Sequence, residues 1–117
     1  MVHLRVVDLI GTDLAVSTEN GLKVYDQIEK NLEKNEEVNL DFEGISLIIT
    51  AFLNAAIGSL FKNKKYTGAF LNSHLYLSNV DSNDVSLFKD VINRAKEYFS
   101  DKDFFEKNNN DSIYGKD

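Results

Sequence analysis

The chain has 117 residues, of which 43% are hydrophobic, 27% charged and 11% aromatic, so it is long and apolar enough to form one folded domain. It has no cysteine and only two histidines, which excludes a disulfide framework, a thiolate zinc site and a cysteine nucleophile. A formal net charge of −6 argues against sequence-independent nucleic-acid binding, since attraction to phosphates supplies most of that affinity. Neither a signal peptide nor a membrane span is evident, so the expected location is the cytoplasm.

The N-terminal part of the chain predicts a β-hairpin followed by an amphipathic helix. Residues 3–10 and 14–17 are strand-prone, and the glycine, threonine and aspartate between them form a turn signal. Ser17 or Thr18 can then cap a helix, because their hydroxyl groups accept hydrogen bonds from its first amides. The apolar face predicted for this helix consists of Leu22, Tyr25, Ile28 and Leu32.

The middle of the chain continues with one strand and one helix. Residues 38–43 alternate apolar and polar side chains and give the clearest strand, which Gly44 ends. After a short apolar connection over residues 45–49, residues 51–61 are expected to form a helix with Thr50 at or near its N-cap. This helix is apolar almost all round, so it is expected to be buried on more than one side.

The C-terminal part predicts one more strand and one more helix. Residues 75–78 form the strand, which could start near Ala69. Asp81, Ser82 or Asn83 is expected to cap the helix that follows. The apolar face predicted for this last helix consists of Val85, Phe88, Ile92, Ala95 and Phe99.

The predicted elements define an α/β domain with the order β-β-α-β-α-β-α. Strands that alternate with helices indicate a small mixed four-stranded sheet with helices packed on it. The domain is expected to cover residues 1–106, because residues 107–117 are polar, rich in asparagine and expected to be disordered.

The sequence lacks the motifs that mark common enzymes, so it predicts a protein without catalytic activity, cofactor or metal. No phosphate-binding loop, dinucleotide fingerprint, zinc-protease motif or nucleophile elbow is present. Asp41 and Glu43 lie two apart on one predicted strand and would share a face, where they could bind a ligand. The alternative is that Asp41 accepts hydrogen bonds from loop amides while Glu43 faces solvent.

Residues 38–60 carry the most specific pattern in the chain. A strand ends in Leu-Asp-Phe-Glu-Gly, a short apolar run follows, and Ile-Thr-Ala-Phe-Leu then starts an apolar helix. This pattern resembles the STAS superfamily, which includes bacterial anti-sigma factor antagonists and the tails of sulfate transporters. It is more similar to a bacterial STAS-like family of unknown function, which favours the same strand end and helix start.

The resemblance to the antagonists implies a site of phosphorylation. In those domains Asp-x-x-Gly is followed by Ile-Asp-Ser-Ser-Gly, and a partner kinase phosphorylates the first serine. An alignment without gaps places Asp41 and Gly44 on the conserved strand end and Thr50 on the phosphoacceptor. Ile49 stands where the antagonists carry aspartate, so this chain lacks the acidic neighbour of the phosphoacceptor.

The resemblance also implies that the protein is a non-enzymatic regulatory module that binds a histidine-kinase-like ATPase. Binding would use the end of the strand and the first turns of the helix after it. The residues expected to contact the partner are Gly44, Ile45, Ser46, Ile49, Thr50, Ala51, Leu53 and Asn54.

Two other functions remain open from the sequence. The domain could bind a small molecule or nucleotide near Asp41, Glu43 and Thr50, since open α/β sheets often bind ligands at the carboxyl ends of their strands. It could also be a phage-encoded inhibitor that binds a host protein, because its lysine- and asparagine-rich composition is typical of AT-rich bacterial or phage genomes. The sequence leaves the oligomeric state undetermined.

Overall fold

The computed structural model describes the backbone of residues 1–63 and 65–107 and the side chains of residues 1–63 and 65–96. Apart from Lys107, the predicted tail lies outside the described residues. A π-helical turn, Asn54–Gly58, joins two of the α-helices into one continuous helical run. The other elements are β1 Val2–Arg5, α1 Val6–Ile10, β2 Leu14–Ala15, α2 Thr18–Glu33, β3 Val38–Asp41, β4 Leu47–Ile48, α3 Thr50–Leu53, α4 Ser59–Lys62, α5 Gly68–His74, β5 Leu75–Ser78 and α6 Val85–Lys107.

The described strands form two parallel sheets. In the three-stranded sheet β3 lies in the centre, with Val38 in register with Val2 of β1 and Leu75 of β5. In the two-stranded sheet β2 pairs with β4. The α/β class is confirmed, whereas the single mixed four-stranded sheet and the predicted order of elements are not found among the described strands.

The predicted N-terminal hairpin was wrong, because residues 6–10, more than half of its first strand, are helical. The strand-prone residues from Val6 to Ile10 form α1, which buries the first and last of them. Gly11 ends this helix in the left-handed conformation (φ 73°), and its amide donates to the carbonyl of Val7 at 2.9 Å. The packing of α1 thus overrides its strand propensity, and β1 pairs with the distant β3 instead.

Two elements after residue 66 also differ from the sequence prediction. Thr67 accepts a hydrogen bond from the amide of Phe70 at 3.0 Å and caps α5, so Ala69 is helical and β5 begins at Leu75. The last helix begins at Val85, because a turn that Asp81 stabilises precedes it.

The core lies between one face of the three-stranded sheet and the helices. Val38 and Leu40 of β3 are fully buried on this face, and so is Phe52 of α3. The alternating residues of the sheet lie on its opposite, polar face, where His3 and Tyr76 are exposed, Asn39 is half-buried and Asp41 is buried.

The buried face of α2 is rotated from the predicted one. Leu22 is 46% exposed, and Gly21 and Val24 are buried in its place. A β-carbon at Gly21 would lie 2.6 Å from the carbonyl oxygen of Phe52 and 2.7 Å from the β-carbon of Ala55. A glycine therefore lets α2 contact the helical run 50–62 almost backbone to backbone, which turns Leu22 outward.

Candidate functional site

Three apolar side chains are exposed side by side on the two-stranded sheet. Leu14 of β2 is in register with Leu47 of β4, and Ile49 follows two residues later on the same face. Their exposures are 44%, 51% and 39%, whereas the alternating residues Ala15 and Ile48 are buried. We call Leu14, Leu47 and Ile49 the apolar outer face.

Hydrogen bonds between two distant loops hold the apolar outer face together. The amide of Ser46 donates to the carbonyl of Asp13 at 2.8 Å, and the Ser46 hydroxyl donates to the carboxylate of Asp13. The amide of Ile49 donates to the carbonyl of Ala15 at 3.1 Å. Because side chains alternate along an extended chain, Ala15 and Ile48 are buried, whereas the residues of the apolar outer face are exposed to solvent.

The first turn of α3 extends this surface with polar groups. Ile49 is the N-cap residue in an extended conformation, and Thr50 is the first helical residue. Thr50, Ala51 and Asn54 are exposed, while Phe52 beside them is buried. Thr50 is therefore exposed next to Ile49 and lies near the N-cap as expected, but the cap position belongs to Ile49 and no side chain caps this helix.

Asp41 lies at the carboxyl end of β3 and is 5% exposed. Its Oδ1 accepts hydrogen bonds from Asn79 at 2.8 Å and from the amide of Glu43 at 2.9 Å. Its Oδ2 lies 2.8 Å from Nε2 of His3, which donates to the ionised carboxylate. The hydrogen bonds, led by that from Asn79, outweigh burial and lower the pKa of Asp41 from 3.8 to about 2.

The predicted ligand residues do not line a common cavity. Both oxygens of Asp41 are engaged, and Glu43 lies beyond the end of β3, so the two residues do not share a strand face. Glu43 and Gly44 line a cavity of about 360 Å³ at the ends of β3 and β5. Thr50 lines a different cavity, of about 400 Å³, between α3 and α6.

A family model described as a STAS-like domain of unknown function (DUF4325) matches residues 20–85, which is more than half of the chain. The chain belongs to this STAS-like family. No curated protein and no solved structure matches the chain. The matched segment of the STAS-like domain contains Leu47, Ile49 and Thr50, whereas Leu14 lies outside it.

The predicted contact residues of the STAS-like domain are for the most part accessible. Ile45 is half-buried, and Leu53 is fully buried because it points into the core beside Phe52, so Leu53 cannot contact a partner. Sequence reasoning missed Leu14 and Leu47, although each stands next to a residue that alternation would bury. The exposed members of the predicted set are Gly44, Ser46, Ile49, Thr50, Ala51 and Asn54.

The described part of this STAS-like domain contains neither a membrane-spanning helix nor a cluster of metal ligands. None of its described helices combines the length and the apolar character that crossing a membrane requires. Among the residues whose side chains are described, no three histidine, aspartate or glutamate groups come together as ligands for a metal ion.

Proposed function

We propose that this STAS-like domain is a non-enzymatic regulatory module that binds a protein partner through its apolar outer face. The observation that carries the proposal is the adjacency of Leu14, Leu47 and Ile49, each more than a third exposed. Single exposed leucines are common on protein surfaces, whereas a contiguous apolar cluster at the edge of a small sheet is typical of an interface.

The surroundings of the apolar outer face indicate the chemistry of the partner. Asp13 and Glu43 are exposed on the loops that precede β2 and β4, and the whole chain carries a net charge of −6. A partner surface with an apolar centre and a basic rim would complement this arrangement. The resemblance to anti-sigma factor antagonists supports a histidine-kinase-like ATPase as that partner.

Affinity capture from lysate of the source cells, with ATP and Mg²⁺, tests this proposal. The wild-type domain should recover a histidine-kinase-like ATPase in stoichiometric amount, and Ile49→Glu should lose it, because a carboxylate would be desolvated at the centre of the interface. Tyr76→Glu is the matched control, since Tyr76 is equally exposed, at 40%, but lies on the polar face of the three-stranded sheet.

The capture has two outcomes that would contradict the proposal. Recovery of no partner would remove the interaction module as the leading function. Equal recovery of the partner by wild type and Ile49→Glu would show that the interface lies outside the apolar outer face. Recovery of a nuclease or another defence protein would support the inhibitor function in place of the ATPase-binding one.

Thr50 gives this module a means of regulation. Thr50 is exposed and directly follows Ile49 of the apolar outer face, so a kinase can reach it. A phosphate there would add about −1.5 to −2 charges, and its desolvation against the apolar centre of the partner surface would weaken binding. Incubation of the domain with ATP, Mg²⁺ and the captured ATPase should add one phosphate, and Thr50→Val should prevent it. Phosphorylation of Thr50→Val to the same extent would place the modification elsewhere.

A further inference from the structure

His3 is an exposed histidine that is hydrogen-bonded to a buried carboxylate. It lies on the polar face of the three-stranded sheet, where its side chain is 55% exposed and that of Asp41 is 6% exposed. The distance between Nε2 of His3 and Oδ2 of Asp41 is 2.8 Å. This pair connects β1 to β3, so it is separate from the apolar outer face, which lies on the two-stranded sheet.

Two further hydrogen bonds fix the orientation of the Asp41 carboxylate. Oδ1 accepts from the side-chain amide of Asn79 at 2.8 Å and from the backbone amide of Glu43 at 2.9 Å. Oδ2 is thereby directed at the imidazole ring of His3. The same hydrogen bonds lower the pKa of Asp41 to about 2, so this carboxylate is ionised at neutral pH.

The ionised carboxylate determines which ring nitrogen of His3 carries the proton. Nε2 donates to Asp41, so the lone pair of the neutral ring is on Nδ1. No described residue forms a hydrogen bond with this Nδ1. A neutral imidazole with a free lone pair is a nucleophile, and a carboxylate on its other nitrogen stabilises the positive charge that the ring gains when it reacts.

His74, the second of the two histidines in the chain, has both ring nitrogens engaged. Its Nδ1 lies 2.9 Å from the carbonyl oxygen of Phe70 and 2.8 Å from the hydroxyl oxygen of Ser73. Its Nε2 lies 3.0 Å from the side-chain oxygen of Asn35. The ring is also stacked on the ring of Phe70, with 3.9 Å between the two centroids. His74 therefore serves as a control inside the same molecule.

The surroundings of His3 allow an anionic reagent to approach its Nδ1. Among the described strand residues of the polar face, Asp41 is the only carboxylate, and both of its oxygens are hydrogen-bonded. Asn39, which is in register with His3, is neutral. Arg5 follows two residues later on the same face and forms an exposed ion pair with Asp8 at 3.4 Å.

We propose that His3 is a phosphorylation site, whose Nδ1 accepts a phosphoryl group from a donor of the phosphoramidate class. The lone pair of Nδ1 forms the new N–P bond, the P–N bond of the donor breaks, and its electron pair leaves with the donor nitrogen as an amine. The donor nitrogen is already protonated, so no further proton is needed. The ring becomes positively charged, and its Nε2 proton stays hydrogen-bonded to Asp41, which stabilises the product.

Treatment of the untagged, ¹⁵N-labelled chain with potassium phosphoramidate tests this proposal. Phosphorus NMR and long-range ¹H–¹⁵N spectra of the imidazole rings show which histidine reacts and at which nitrogen. His3 should react at Nδ1 about tenfold faster than His74, because a charge-assisted hydrogen bond supplies that factor. The new bond should be lost in acid, which distinguishes it from a phosphate ester on Thr50.

Asp41→Asn tests the role of the carboxylate. Asparagine keeps the shape of the side chain and removes its charge, so the reaction of His3 should slow by about tenfold and the Nε2 isomer should appear. Glu43→Gln is the matched control, since it removes an exposed carboxylate nearby and keeps the backbone amide that binds Asp41. A heteronuclear spectrum of each variant establishes that it is folded, and the isomer formed by the wild type is decisive without any variant.

The same measurements give the results that would overturn the proposal. Failure of His3 to react, or equal rates for His3 and His74, would show that Nδ1 of His3 is not activated. Formation of the Nε2 isomer in the wild type would show that Asp41 does not hold that nitrogen. Equal rates for Asp41→Asn and Glu43→Gln would show that the carboxylate of Asp41 has no specific effect on His3.

Discussion

At the scale of single residues, Asp41 joins three segments of the chain that meet at the carboxyl ends of the parallel strands. It contacts His3 in β1, the amide of Glu43 in its own turn, and Asn79 after β5. The sequence predicted amide donors from a nearby loop, and the Glu43 amide confirms that interpretation. His3 and Asn79 each lie 38 residues away, so no local pattern could have identified them.

The lowered pKa of Asp41 predicts a specific loss of stability in acid. Because the pKa of this carboxylate falls from 3.8 to about 2 on folding, its contribution is fully present above the unfolded value and is lost as the pH falls through the folded one. The shift corresponds to about 2 kcal/mol of unfolding free energy. Asp41→Asn should therefore be less stable by about that amount at pH 7 and should lose less on acidification.

Urea unfolding followed by circular dichroism between neutral pH and about pH 2 measures this difference. Asn79→Ala is the companion variant, since it removes the hydrogen bond that lowers the pKa of Asp41 most and leaves the carboxylate in place. Its acid loss should lie between those of wild type and Asp41→Asn. Parallel pH profiles for all three proteins would contradict this account of Asp41.

At the scale of secondary structure, patterns that depend on a single element were the most predictable. Residues 75–78 form a strand as predicted, and Ser17 caps α2 by accepting a hydrogen bond from the amide of Asn20 at 3.0 Å. Short elements such as α1 and α5 were missed, because few residues carry their signal and tertiary packing decides their conformation. Tertiary packing also explains why the buried face of α2 is rotated, since Gly21 contacts the helical run 50–62, which is distant in sequence.

The close contact at Gly21 predicts that alanine will destabilise the protein there. Glycine to alanine normally stabilises a helix by up to about 1 kcal/mol, but here the new methyl group would overlap the backbone of α3. Overpacking of this kind costs about 1 to 3 kcal/mol, so Gly21→Ala should unfold at lower urea concentration than wild type. A stability equal to or above that of wild type would mean that the two helices can separate without cost.

Gly68 provides the matched control for this comparison. It is the first residue of α5, and a β-carbon there would meet nothing within 4 Å. Gly68→Ala should therefore be neutral or slightly stabilising, by at most about 1 kcal/mol. Opposite signs for the two substitutions would separate steric overlap from helix propensity.

At the scale of the whole molecule, the candidate interface combines segments that are far apart in sequence. The resemblance to the STAS family predicted that the contact residues lie between positions 44 and 54. Six of these predicted contact residues are exposed in the structure. Leu14 could not be predicted as a member, because the expected hairpin paired it with the wrong strand. Its true partner, Leu47, becomes apparent only from the parallel pairing of β2 with β4.

Hydrogen–deuterium exchange of the domain with and without its captured partner tests most directly whether that partner binds the apolar outer face. Partner binding should slow exchange in residues 14–16 and 46–51, because these amides would be shielded from solvent, and leave β5 unchanged. Slower exchange confined to β5 and the polar face of the three-stranded sheet, with residues 46–51 unchanged, would contradict binding at the apolar outer face.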